Sequence, residues 1–282
     1  MRWNNRLKYI FLAPAVIWVL GFTVFPLLYS LRLSFFRVNI GQPDVFIGFA
    51  NFARAFTDPN VITAARITLT FVIGGVLIQL TLGLLFAMLF NRPLPARNVL
   101  RTVMTLPLFA TPIAVGFLFV TVFHEEGGLV NGLIPWKIPW LSDPDWALFS
   151  VMIVDAWQWT PFVFIVLLAA IQGIPEEYYE AARLETSRGW DTFRFITLPI
   201  LQPTLILVAV LRTAEAFKVF DIPFTLTFGG PGNTTQPFTM LTYRTARRFF
   251  DFGYASALAY LLLIVVILIV LFFFRRIRQA YQ

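Results

Sequence analysis

Six stretches of this chain are apolar over about 20 residues or more, the length an α-helix needs to cross the hydrocarbon core of a bilayer. They cover residues 10–31, 67–90, 99–123, 146–171, 200–220 and 255–274. Within lipid every backbone N–H and C=O must find a partner inside the protein, so runs of this kind fold as helices. Composition agrees: 58% of the residues are hydrophobic and 13% charged, where soluble domains carry about 45–50% and about 25%. The expected fold class is therefore all-α integral membrane, six transmembrane helices in a single domain over residues 1–282. Pro107, Pro112 and Pro161 lie inside the runs, where membrane helices tolerate proline better than soluble ones.

The first run follows Arg2, Arg6 and Lys8, an arrangement that resembles a signal peptide. It is long, contains Pro14 and Pro26 and lacks a small-residue cleavage pattern, so it reads as an uncleaved first span. An even number of spans puts both termini on one side. With the termini inside, the inner segments hold twelve Lys and Arg residues and the outer segments nine, the sign of the positive-inside rule. The net charge of +7 is then a property of span ends and no sign of nucleic-acid binding.

Several chemistries are excluded. There is no cysteine, hence no thiolate nucleophile and no cysteine-held metal. The only histidine, His124, stands beside Glu125 and Glu126; without further ligands this group caps the outer end of the third span and is not read as a metal site. None of the three lysines (Lys8, Lys137, Lys218) follows a glycine, so the chain has no phosphate-cradling loop of its own.

The segment between the fourth and fifth runs, residues 173–199, is polar without being linker-like. Pro175, then Glu176 and Glu177, open a run of good helix formers, with carboxylates at the positive end of the helix dipole. A short amphipathic helix over Glu177–Leu184 would set Tyr179, Ala182 and Arg183 on one side, and Ala181 and Ala182 would allow close approach by a partner. A solvated loop helix is the plain alternative.

Glu180-Ala181-Ala182, followed at fixed spacing by Ile196, Leu198 and Pro199, resembles the cytoplasmic signature of binding-protein-dependent ABC importer permeases. The resemblance covers most of the chain and implies a type I ABC importer permease fold with a cytoplasmic coupling helix. It places the ATPase contact on Glu177, Tyr179, Glu180, Ala181, Ala182, Arg183, Leu184, Thr186 and Gly189. Thr186 stands where the signature has glycine, so the turn after the helix is expected to be built differently; Gly189 lies three residues on. The implied partners are a second homologous permease, two cytoplasmic ABC ATPase subunits that bind ATP and Mg, and an extracellular or periplasmic sugar-binding protein. The implied location is the plasma membrane of a bacterium or archaeon. No cofactor belongs to this chain, and catalysis belongs to the ATPase.

Phe217-Lys218-Val219-Phe220-Asp221 and Gly229-Gly230-Pro231-Gly232 are similar to the sugar-importer branch, in particular to the first of its two permeases. Ionisable residues inside spans are costly and tend to be functional. Here they are Asp155 in the fourth run and Arg212 and Glu215 in the fifth, the last two at a spacing that lets them pair with each other. Trp157, Gln158, Trp159 and Phe162 supply aromatic and amide groups suited to sugar rings and hydroxyls. The resemblance to maltose-type permeases places the sugar contacts at Asp155, Gln158, Trp159, Phe162, Arg212, Glu215, Ala216 and Val219. Trp159 and Arg212 differ from that pattern, which points away from maltose toward a different or smaller glycan.

A carbohydrate or polyol is thus the expected cargo, with glycerol phosphate as the alternative because Arg212 could meet a phosphate. An ion-coupled secondary transporter would show an inverted repeat; none is visible, and the Glu-Ala-Ala segment would be left without a purpose.

Overall fold

The apolar runs form helices, and prolines decide where they bend. The computed structural model describes residues 5–186 and 188–280. Arg2 lies outside the described residues. Helix α1 (Asn5–Val19) passes through a π-helical turn at Leu20–Val24 into α2 (Phe25–Ser34), making one span of Lys8–Ser34. Pro26 has no N–H to donate and sits just after the π turn, where the ladder already departs from its regular spacing. A two-stranded antiparallel ribbon follows, β1 (Phe36–Arg37) with β2 (Val45–Phe46), Phe36 opposite Phe46. Next come α3 (Ala50–Thr57), α4 (Pro59–Phe90), α5 (Arg97–Thr105), α6 (Pro112–Val122), α7 (Leu129–Leu133) and α8 (Pro144–Gln172). The chain finishes with α9 (Glu176–Glu185), α10 (Gly189–Thr192), α11 (Leu198–Ala216), α12 (Asp221–Leu226), α13 (Phe238–Arg247) and α14 (Phe252–Ala280).

Among the described residues, five helices are long and apolar enough to cross a membrane: Lys8–Ser34, Pro59–Phe90, Pro144–Gln172, Gly189–Ala216 and Phe252–Phe273. The expected third span, 99–123, is not one straight helix. It is a pair, Arg97–Phe109 and Pro112–Val122, bent by 104°, and the count reaches six if the pair is one span. Pro107 and Pro112 cannot donate to the ladder, and Pro112 holds Thr111 extended (φ −68°, ψ 140°). The fifth span also departs from 200–220. It starts at Gly189 and stops at Ala216. Pro223 cannot donate to the Val219 carbonyl, which accepts the Thr239 hydroxyl instead.

The chain falls into two compact units. The first joins the residues up to Ile62 with Leu241–Ile264. Within it the Asn51 amide donates to the carbonyls of Ser34 and Phe36, both at 3.0 Å. The Tyr254 hydroxyl donates to Asp58 Oδ2 at 2.9 Å, and Arg54 bridges Asp251 at 2.8 Å while lying over the Tyr254 ring. Gly253 must be glycine, since a Cβ there would sit 2.1 Å from the Phe36 carbonyl oxygen.

The second unit, Thr63–Met240 with the residues from Val265, carries the candidate sites. Its core joins α4, α8 and α11 through Ala87, Phe90, Val163, Phe164, Leu167, Leu201 and Val208, all buried. Small residues let the helices approach, the usual packing device in lipid. A Cβ on Gly83 would lie 2.5 Å from Val163 Cγ1, and one on Gly116 of α6 would lie 1.7 Å from Thr225 Oγ1 of α12.

Candidate functional site: a buried polar cluster and an exposed helix

Three spans each contribute one polar side chain to the same buried point. Gln79 comes from α4, Asp155 from α8 and Arg212 from α11, and none is more than 4% exposed. Gln79 Nε2 donates to Asp155 Oδ2 at 2.6 Å, and Arg212 Nε donates to Gln79 Oε1 at 2.8 Å. Arg212 Nη2 lies 3.5 Å from the same carboxylate oxygen. Its guanidinium covers the Trp159 ring at 4.5 Å, and Trp159 shares a helix face with Asp155 one turn earlier. Burying charge in a low-dielectric interior is tolerated only when it is paired and hydrogen-bonded, as here.

The expected partnership of Arg212 with Glu215 is not what forms. A spacing of three brings two residues to one face but does not choose partners. Arg212 points into the bundle and takes Asp155, whereas Glu215, at the exposed end of α11, bridges Lys218 at 2.7 Å. Gln79 went unnoticed in the sequence. Its only signal was a lone amide in an otherwise apolar run, which in lipid calls for a partner.

The cluster forms one wall of a cavity of 180 Å³. Asp155, Trp159, Arg212, Glu215, Ala216 and Val219 line it, joined by Pro112, Lys218, Phe220, Asp221 and Ile222. Two expected members lie elsewhere. Phe162 packs against the core of α4, α8 and α11. Gln158 turns to the break in the third span, where Nε2 donates to the Ala110 carbonyl at 2.9 Å. Spacing of three would allow Gln158 the face of Asp155; it is the bond to Ala110 that takes its amide elsewhere. Trp157 faces away as well. It meets Phe119 edge-on at 5.3 Å and lines an apolar cavity of 690 Å³ with Leu82, Phe86 and Pro161.

The second candidate region is α9. It spans Glu176–Glu185, close to the expected Glu177–Leu184. Ala182 is buried and Tyr179 half-buried, its hydroxyl oxygen accepting from Thr197 Oγ1 at 3.4 Å. Glu177, Glu180, Ala181, Arg183 and Leu184 are exposed, Leu184 to 91%. Tyr179 and Arg183, four residues apart, line one cavity of 890 Å³, with Arg183 exposed at its edge. Thr186 ends the helix in extended backbone (φ −145°, ψ 141°), a conformation open to any residue. Its hydroxyl donates to Asp191 Oδ2 at 3.0 Å and accepts the Arg188 N–H at 3.1 Å. Gly189, with ordinary negative φ, starts α10. Glycine-specific geometry is found instead at Gly229 (φ 76°) and Gly232 (φ 61°) of the Gly-Gly-Pro turn.

At His124, Nδ1 accepts the Gly127 N–H at 3.4 Å just beyond α6, and Glu125 Oε1 accepts the Ser142 N–H at 3.2 Å. Both groups hold the loop that follows the bent pair.

The family model of the binding-protein-dependent transport system inner membrane component matches residues 79–280. The chain belongs to this family. As such a permease it is a multi-pass component of the inner membrane. It is similar to the trehalose/maltose transport system permease protein MalF of Thermococcus litoralis, with 32% identity over 261 residues, 91% of this chain and 88% of that protein. It is also similar to the sulfoquinovosyl glycerol transport system permease protein SmoG of Agrobacterium fabrum, with 34% identity over 270 residues, 92% and 86% of the two chains. Among solved structures, a bacterial ABC transporter involved in the import of the acidic polysaccharide alginate superimposes with a TM-score of 0.87 at 27% identity, covering 99% of this permease and 97% of that chain. The permease therefore has the type I ABC importer fold.

Proposed function

We propose that this permease forms half of the translocation pathway of an ATP-driven importer of a carbohydrate, and acts as one permease domain beside a second, homologous subunit. The observation that carries the reading is the cavity where Asp155, Arg212, Glu215, Lys218 and Asp221 meet Trp159 and Phe220. Donors and acceptors set beside aromatic surface suit a molecule with hydroxyls on an apolar ring. Relatives named for trehalose/maltose, lactose and alginate import support the carbohydrate class. Gln158 and Phe162 act in this reading by shaping the wall behind the cavity.

Force enters through α9. Leu184 is 91% and Trp190 66% exposed on an otherwise polar segment, apolar surface that a docked subunit would cover. In this reading α9 seats in a cytoplasmic ATPase, Glu177, Glu180, Ala181 and Arg183 face it, and the Thr186 and Gly189 turn transmits the movement into α11. That orientation puts both termini in the cytoplasm. ATP and Mg are bound by two ATPase subunits, this chain performs no catalysis, and an external binding protein delivers the sugar. A structural neighbour was solved with an alginate pentasaccharide-bound periplasmic protein. Import then follows rigid-body rearrangement between two states.

The test is ATP hydrolysis by the complete complex in lipid discs, with binding protein loaded from a panel of sugars, polyols and amino acids. Several-fold stimulation by a carbohydrate is expected; stimulation by non-carbohydrates alone would overturn the reading.

A further inference from the structure

We infer that the cavity takes a neutral carbohydrate and turns away acidic counterparts such as uronates and sugar phosphates. This rests on the carbohydrate reading above. Relatives leave the charge of the cargo open, since they include permeases named for trehalose/maltose and lactose and a transporter for an acidic polysaccharide. The cavity's own charges decide it.

An anionic sugar needs a cation with free donors, best of all an arginine fork. The charge of the one arginine here is already matched by Asp155. Its Nε is held by Gln79 at 2.8 Å, its Nη2 lies 3.5 Å from Asp155, and one flat face covers Trp159. The other cation, Lys218, sits 2.7 Å from Glu215. That pair is exposed and Lys218 can swing free at little cost, but Glu215 would then face the same incoming anion. Asp221 also lines the cavity, and among the described residues no cation lies within ion-pair distance of it. Two cations therefore face three carboxylates, one negative charge in excess. A carboxylate only accepts, so Glu215 and Asp221 can take hydroxyl protons from a polyol, while a second carboxylate or a phosphate offers them repulsion. Arg212 thus braces the spans and holds Trp159 upright; it is not a phosphate receptor.

Binding should be read without the binding protein, whose own preference would mask that of the permease. The permease–ATPase complex in lipid discs is titrated, by saturation-transfer NMR, with neutral disaccharides and hexoses and with their uronate and 6-phosphate forms. A neutral sugar is expected to bind about tenfold or more tightly than its anionic form, the effect of one like charge at close range. The Glu215→Gln/Asp221→Asn variant, and Asp221→Asn alone as a milder change at the cavity edge, are expected to raise the ratio of anionic to neutral binding. Equal or tighter binding of the anionic form by the unaltered complex overturns this inference and leaves the carbohydrate reading standing. Failure of every sugar to bind overturns both.

Discussion

Arg212 reaches Gln79 across 133 residues of sequence, its Nε donating to the amide oxygen at 2.8 Å, while the same amide's nitrogen donates to Asp155 at 2.6 Å. Gln79 is thus the hinge pin of the buried ion pair, offering an acceptor to the cation and a donor to the anion. An uncharged amide does both with fixed, separate atoms. Three spans are held in register at that point.

The consequence for stability is asymmetric. Arg212→Leu leaves Asp155 as a buried carboxylate without its cation and is expected to destabilise by about 3–5 kcal/mol, while removing both charges together in Arg212→Leu/Asp155→Leu costs far less. Gln79→Ala, which leaves two charged groups each short of one bond, falls between. Thermal unfolding of the purified permease in detergent measures all three. A double variant that loses as much as Arg212→Leu and Asp155→Leu added together would show that the pair is not a unit.

Gly116 permits the contact between α6 and α12. A methyl there meets Thr225 Oγ1 at 1.7 Å, so Gly116→Ala must push the two helices apart, at a cost of about 1–3 kcal/mol for an overpacked contact. Gly132, with nothing within 4 Å of a Cβ, is the control, and Gly132→Ala should leave the unfolding temperature within about one degree, as surface changes do. Thr225→Ala in the Gly116→Ala background should restore most of the loss.

Leu184 separates folding from assembly. At 91% exposure it contributes little to the permease itself, so Leu184→Glu should leave yield and unfolding temperature unchanged. Against an ATPase subunit the same change buries a charge, and co-purification of ATPase should fall about tenfold or more. Undiminished co-purification would remove α9 from the coupling interface.

Much of this was legible in the residues because lipid enforces a simple rule. Long apolar runs become helices, and four of the six lie near their expected places, while the fifth starts eleven residues early, at Gly189. The third departs too, because hydropathy measures length and is blind to direction: Pro107 and Pro112 keep the run apolar while turning it through 104°. The polar cluster was half visible. Asp155 and Arg212 stood out as charges in spans, but Gln79 carries no charge, and the Arg212–Glu215 spacing favoured a local pair over the long-range pair that burial requires. Gln158 and Phe162 illustrate a further limit. They follow Asp155 at three and seven residues, on one stripe of α8, and only packing shows that Gln158 meets the Ala110 carbonyl and Phe162 the apolar core.

Thr186 offers a test of how movement passes from α9 into α11. The permease signature has glycine there, yet the backbone is extended and needs none. What the threonine supplies is its hydroxyl, which ties Asp191 at 3.0 Å and the Arg188 N–H at 3.1 Å and so staples the end of α9 to the start of α10. Thr186→Val keeps the shape and removes both bonds, a loss of about 1 kcal/mol for each. Thr186→Ser keeps them. If the staple carries force, the valine variant should import several-fold less sugar per ATP hydrolysed while its spans unfold at the unaltered temperature, and the serine variant should recover the ratio. Glycine, the residue of the signature, has no hydroxyl and adds backbone freedom, so Thr186→Gly should couple no better than valine. A glycine variant that matches the unaltered permease would show that the turn works through backbone geometry, and that the bonds to Asp191 and Arg188 are incidental to coupling.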